Sequence, residues 1–182
     1  MLLIRNAFVK MKFRGLIYIV SVPLLLICCN NDQSQINAPV KNDEELMELN
    51  KAMVLEEQEQ INSYIARYGY TIEETKTGLR LMSIKKGSGK TPAMDNDVTI
   101  AYKISLLNGM YCYSSDSSGL LTFRMGQSTE PGGLQEGLLH MQEGGKSLMI
   151  VPSWLAYGVT GDGDKIGSNQ SLVFEVDLVK VK

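Results

Sequence analysis

The chain has 182 residues and a formal net charge of −2, with lysines and glutamates interleaved rather than blocked. That excludes the basic footprint of a nucleic-acid binder, and the length holds one domain of ordinary size with a real core, so one functional module is sought.

Lys10, Lys12 and Arg14 precede an apolar run from Leu16 to Ile27, broken by Ser21 and Pro23, which is the pattern of an export signal. The run is about half to two-thirds of the roughly 20 residues that a membrane-crossing helix needs, so a permanent span is disfavoured. Leu26-Ile27-Cys28-Cys29, followed by the polar Asn30-Asn31-Asp32-Gln33, resembles a lipobox. Residues 1–28 are then expected to leave as a signal peptide, with Cys29 lipidated as the first mature residue and the domain anchored to a membrane of the cell envelope, facing the periplasm. Cys28 stands where a small residue usually sits, so Cys28 and Cys29 both remain candidates. The bland alternative is a pair of buried thiols. Only Cys112 remains beyond this point, so no disulfide is expected within the domain.

Residues 29–42 are polar, carry Pro39 and read as a tether. A helix is predicted from Asp43, with Asn42 as cap and Glu45 completing a capping box. Leu46, Leu49 and Met53 form one stripe, Ile61, Tyr64, Ile65 and Tyr68 another, and Glu56 to Gln60 between them is polar. The C-terminal half is therefore expected to pack on the domain, while the N-terminal half projects or meets a partner, a second copy being one option. Gly69 ends the helix, and residues 43–77 are taken as helix plus linker.

From Leu79 the period changes to two. Val98, Ile100, Tyr102 and Ile104 alternate with Thr99, Ala101, Lys103 and Ser105, and Leu172, Phe174, Val176 and Leu178 do the same near the C-terminus. Leu79 to Ile84, Leu121 to Met125 and Lys146 to Val151 are further strand candidates. One short helix carries Leu134, Leu138 and Met141 on one face, with Gly144-Gly145 as a stop. The expected fold class is α+β: an antiparallel sheet of about five strands packed on one short helix and preceded by the N-terminal helix.

Three motifs fail on inspection. Gly87-Ser88-Gly89-Lys90-Thr91 resembles the end of a phosphate-binding loop, but Ile84 stands where the first glycine is needed and Pro92 where a helix should continue; a tight turn is predicted. Asp162-Gly163-Asp164 resembles a calcium loop, but the closing glutamate position is Val173, so a surface loop is predicted. His140 is the only histidine, so neither a zinc cluster nor a Ser-His-Asp set can be assembled, and a helix-surface histidine is expected.

Gly133, Glu136-Gly137, Met141, Gly144, Lys146, Ile150, Pro152, Ala156-Tyr157-Gly158, Gly161, Ile166, Asn169, Leu172, Phe174-Glu175-Val176 and Leu178 resemble, in order and spacing, the FKBP family of peptidyl-prolyl isomerases. Upstream, Tyr102, Leu106, Gly109, Ser114-Ser115, Phe123 and Gly126 continue the register, so the resemblance covers residues 78–182. With the lipobox and helical tether added, the whole chain resembles the gliding-motility-associated FKBP-type lipoproteins. The resemblance implies a curled antiparallel sheet on a short helix and an apolar cup for proline-containing segments, without cofactor or metal. It places Tyr102, Tyr157 and Phe174 as catalytic and Cys112, Tyr113, Leu121, Glu130, Pro131, Leu134 and Ile166 as substrate-binding.

The cup departs from the family pattern. Cys112-Tyr113 stands for Phe-Asp, Leu134 for an aromatic floor that is often Trp, Leu121 for another ring, and Gly167-Ser168 for a pair of prolines. The pocket is therefore expected to be less aromatic and to lack its acid. Two functions follow from the resemblance: a folding isomerase of exported envelope proteins, or a weakened cup that grips partner segments as a holdase or assembly subunit. An ordinary buried core is the bland reading of Leu121, Leu134, Ile166 and Phe174.

Overall fold

Residues 42–182 are described by the computed structural model; the expected signal, Cys28, Cys29 and the tether up to residue 41 lie outside the described residues. Helix α1 (Asp43–Tyr68) begins where the cap chemistry puts it: the Asn42 side chain accepts a hydrogen bond from the Glu45 N–H at 3.0 Å. It ends on Gly69 at φ +64°, a left-handed turn in which glycine meets no Cβ penalty. Its first half is exposed, Leu46, Met47 and Leu55 included, whereas Ile61 and Tyr64 are buried against Leu148, Ile150 and Val173. The second stripe docks and the first does not, as the polar interruption predicts.

That interruption also anchors the helix. Glu57 accepts hydrogen bonds from the Ser153 N–H at 2.6 Å, the Ser153 hydroxyl at 2.8 Å and the Ser171 hydroxyl. Gln58 accepts from Arg80 at 2.8 Å; this guanidinium, only 2% exposed, also donates to the Gly78 carbonyl and faces Glu74 at 3.4 Å. A buried cation is tolerated because its donors are matched. Glu57→Ala strands the buried donors of Ser153 and Ser171, and a loss of about 1–3 kcal/mol is expected. In thermal unfolding this reads as a fall of at least a few degrees; an unmoved midpoint would mean the carboxylate contributes nothing.

The sheet is antiparallel and seven-stranded: β1 (Glu73–Glu74), β2 (Arg80–Lys85), β3 (Asp97–Leu106), β4 (Tyr111–Ser114), β5 (Leu121–Arg124), β6 (Lys146–Val151) and β7 (Leu172–Val181). Its order is β1-β2-β6-β7-β3-β4, with β5 also pairing β3. The two-residue β1 and four-residue β4 exceed the expected five strands, being too short to show a period. Register shifts at Thr99/Ile100 and Ile104/Ser105 bend β3, the long strand that carries Tyr102 between them. Strand β6 is buried on both faces, Met149 and Val151 in the main core and Leu148 and Ile150 under α1, hence its unbroken apolar run.

Between the strands lie a single-turn helix α2 (Ser115–Ser118), helix α3 (Gly132–Leu139) and a 3-10 turn at Ser153–Leu155. Helix α3 ends at Leu139, ahead of the predicted Gly144-Gly145 stop, and His140 is exposed at its C-cap. Gly133 and Gly137, one turn apart, set its closeness to the sheet: a Cβ there would lie 2.4 Å from Val151 Cγ1 and 2.4 Å from Met149 Sδ. The Gly87 to Thr91 segment is not a tight turn. Strands β2 and β3 are not neighbours, and this loop crosses between them, held by Ser88 and Gly89 N–H groups on the Glu143 carbonyl. Residues 42–182 form one compact unit.

Candidate functional site

Strand β3 contributes Tyr102 and Ile104, β4 Tyr113, β5 Leu121 and β7 Phe174. Helix α3 contributes Leu134, the connection from β5 to α3 brings Glu130, and the connection from β6 to β7 brings Tyr157 and Asp162. These side chains line one hollow of about 270 Å³. The volume suits a prolyl ring with its amide and lies just under the roughly 300–1,000 Å³ typical of drug-sized ligands. Alternation on β3 and β7 puts Ile104 and Phe174 on the same face as partners in register, and Leu134 rises against them from α3.

The loop after the 3-10 turn is shaped for this purpose. The Gly158 N–H bonds the Ser153 carbonyl at 2.9 Å, and the Asn169 N–H bonds Gly158 at 2.8 Å, closing the loop at its base. Gly161 sits at φ +66°, where a Cβ would lie 2.3 Å from the Ile166 carbonyl oxygen. Only glycine allows that backbone approach, and the approach turns Tyr157 and Asp162 toward the hollow.

Tyr102 is steadied by its hydroxyl hydrogen bond with Ser118 at 2.8 Å, and the Ser115 hydroxyl lies between its backbone N–H and carbonyl. The Tyr157 hydroxyl bonds no described residue. Its pKa is pushed up to about 12, first by burial and then by the negative charges of Glu130 and Asp162. Near neutral pH it is therefore a protonated, uncommitted donor facing an apolar space.

The expectation that the cup lacks an acid is overturned. Asp162 lines the hollow instead of lying idle on a surface loop. Its carboxylate accepts from the Tyr113 hydroxyl at 2.5 Å and from the Asp164 and Ile166 N–H groups at 2.9 and 2.8 Å. Burial works against its ionised form, but these bonds outweigh it and hold its pKa below the ordinary value. The Tyr113 phenol is shifted the opposite way, upward, by donating to that carboxylate. Tyr113 thus fills the family's acid position with a ring whose hydroxyl grips an acid from the next loop. The signal in the sequence for Asp162 is its place between Tyr157 and Ile166.

Three expected cup residues do not line the hollow. Cys112 is fully buried behind it, its thiol pKa raised by burial and its carbonyl held by Lys165 Nζ at 2.9 Å. Ile166 is 2% exposed and packs in the main core, where its N–H serves Asp162. Pro131 is the N-cap of α3, buried, with its carbonyl accepting from the Gln135 N–H. Each supports a lining neighbour. No group of three or more His, Cys, Asp or Glu side chains able to hold a metal occurs among the described residues.

Residues 88–179 match the family described as FKBP-type peptidyl-prolyl cis-trans isomerase. The FK506-binding protein of Neisseria meningitidis serogroup B is 36% identical over 105 residues, 57% of this chain and 96% of that protein. FkpA of Escherichia coli K12, an FKBP-type peptidyl-prolyl cis-trans isomerase, is 35% identical over 112 residues, 61% of this chain and 40% of its own length. The matched region spans 40% of the length of the probable FkpA of Neisseria meningitidis and 48% of that of the Mip isomerase of Coxiella burnetii. The crystal structure of E. coli FkpA superposes with a TM-score of 0.62 at 27% identity, over 79% of this chain and 74% of the other.

Proposed function

The chain belongs to the FKBP-type peptidyl-prolyl cis-trans isomerase family, and from that premise we propose that it catalyses cis-trans isomerisation of Xaa-Pro bonds in polypeptide segments held in the Tyr102/Tyr157/Phe174 hollow. The observation that carries this reading is the meeting of those aromatic side chains with Leu121 and Leu134 around one space that the uncommitted Tyr157 hydroxyl faces.

The chemistry follows from the amide. Rotation about C–N costs ~18–20 kcal/mol because resonance is lost at the twisted geometry, and an unassisted prolyl bond turns over in tens of seconds or more. The planar amide, with its resonance-separated charge, is the more polar state. An apolar hollow solvates it worse than water does, while the aromatic walls accept the twisted form and Tyr157 donates to a substrate carbonyl. Binding is then tighter in the transition state than in the ground state. No proton is transferred, which agrees with a Tyr157 phenol and an Asp162 carboxylate that both keep their protonation across the neutral range.

The reading extends to place. The lipobox-like Cys29 and the order of anchor, helix and domain support membrane anchoring in the cell envelope, service to exported proteins and membership of the gliding-motility-associated FKBP-type lipoproteins. Metabolic labelling with an alkyne fatty acid, comparing Cys29→Ser with Cys28→Ser, tests the anchor.

The function itself is tested with the full chain in a proline-limited refolding reaction. Acceleration in proportion to protein concentration is expected. Tight binding of the unfolded chain without acceleration would favour a holdase, a reading supported by the leucines at positions 121 and 134.

A further inference from the structure

Among the residues lining the hollow, Glu130 is the charge without a partner. Asp162 is engaged by Tyr113, Asp164 and Ile166, as described above. Lys165 is engaged as well: its ammonium donates to the Cys112 carbonyl and sits 4.9 Å from the Tyr113 ring centre. Glu130 is held in place through its main chain, its N–H on the Ser128 hydroxyl and its carbonyl on Gln135 Nε2 at 2.9 Å. Gln135 is itself tied to the Gly126 N–H. The Glu130 carboxylate makes no hydrogen bond or ion pair with any described residue. It is half-buried, and burial raises its pKa.

A desolvated, unpaired carboxylate on the wall of an apolar cup is a disfavoured arrangement that an incoming cation relieves. We infer that the hollow prefers prolyl segments carrying a lysine or arginine beside the proline, with Glu130 as the specificity-determining residue that pairs with it. This rests on the reading of the hollow as a prolyl site. Asp162 adds to the same preference through the field it shares with Glu130 at Tyr157, but its committed oxygens leave Glu130 as the contact. Acidic neighbours of the proline meet two carboxylates and are disfavoured. An aliphatic neighbour gains nothing from Glu130.

The test compares short peptides of the full chain's substrate type, Lys-Pro, Leu-Pro and Glu-Pro with the matching Pro-Lys, Pro-Leu and Pro-Glu, on the full chain and on its Glu130→Gln variant. Both turnover and affinity are measured. In one of the two series the lysine peptide is expected to lead its leucine counterpart roughly threefold to tenfold, between the yield of an exposed and of a buried ion pair. That ratio falls to near unity in Glu130→Gln and shrinks with added salt. Turnover of Leu-Pro with equal ratios in both proteins overturns the preference and leaves the isomerase reading standing. If no peptide is turned over, the isomerase reading falls, and the affinity ratios decide the preference by the same criterion.

Discussion

Phe174→Ala is expected to lower the unfolding free energy by about 3–5 kcal/mol, the cost of deleting a buried ring whose space cannot fully collapse. Phe174 is 1% exposed and sits in register between Ile104 of β3 and Met149 of β6, with its ring on the floor of the hollow. A domain of this size has roughly 5–15 kcal/mol in total, so the variant is left marginal. Urea unfolding followed by far-UV circular dichroism measures it, and a loss under ~1 kcal/mol would mean that the ring is not a packed part of the core. Phe174→Leu separates packing from function: it keeps most of the volume, costs less than about 1.5 kcal/mol, and still lowers kcat/KM because an aromatic wall is gone.

Tyr157→Ala should have the largest effect on turnover at the smallest cost in folding, because the residue stands on a loop and is only half-buried. Removing ring and hydroxyl together is expected to lower kcat/KM about a hundredfold, and Tyr157→Phe about tenfold, each factor of ten corresponding to ~1.4 kcal/mol of transition-state stabilisation. The split between the two variants assigns the hydroxyl its share. Full activity in Tyr157→Phe would remove the donor from the mechanism and leave shape alone. With the phenol pKa pushed up to about 12, the wild-type rate should also stay flat between about pH 6 and about pH 9, since the donor keeps its proton throughout.

The two faces of the long strands explain why so much of the site could be foreseen. Period-two alternation puts Tyr102 and Ile104 on one face of their strand, and Phe174 on one face of its own with Leu172, Val176 and Leu178. The Ala156-Tyr157-Gly158 turn and Leu134 were recognisable because each sits at a family spacing. Cys112, Pro131 and Ile166 lie away from the hollow for a common reason. A register position says which residue occupies a family's slot, not whether its own side chain is long enough, or free enough, to reach the cavity. A short thiol in place of a ring withdraws into the core, and a proline at the head of α3 serves the helix.

The amino-acid sequence by itself determined the caps of α1, the division of that helix into a free and a docking half, the α+β class and the aromatic members of the cup. The first three rest on interactions between residues a few positions apart or on strict periodicity, and the aromatic members of the cup on the family resemblance in residue type and spacing. Only the tertiary structure decided that β6 is covered on both faces, that Glu57 ties α1 to the segments leading into Tyr157 and Phe174, and that Asp162 replaces the missing acid by way of Tyr113. The physical reason is distance along the chain. Tyr113 and Asp162 lie 49 positions apart and Glu57 and Ser171 114 apart, so their meeting depends on strand order and loop path, which no local pattern encodes.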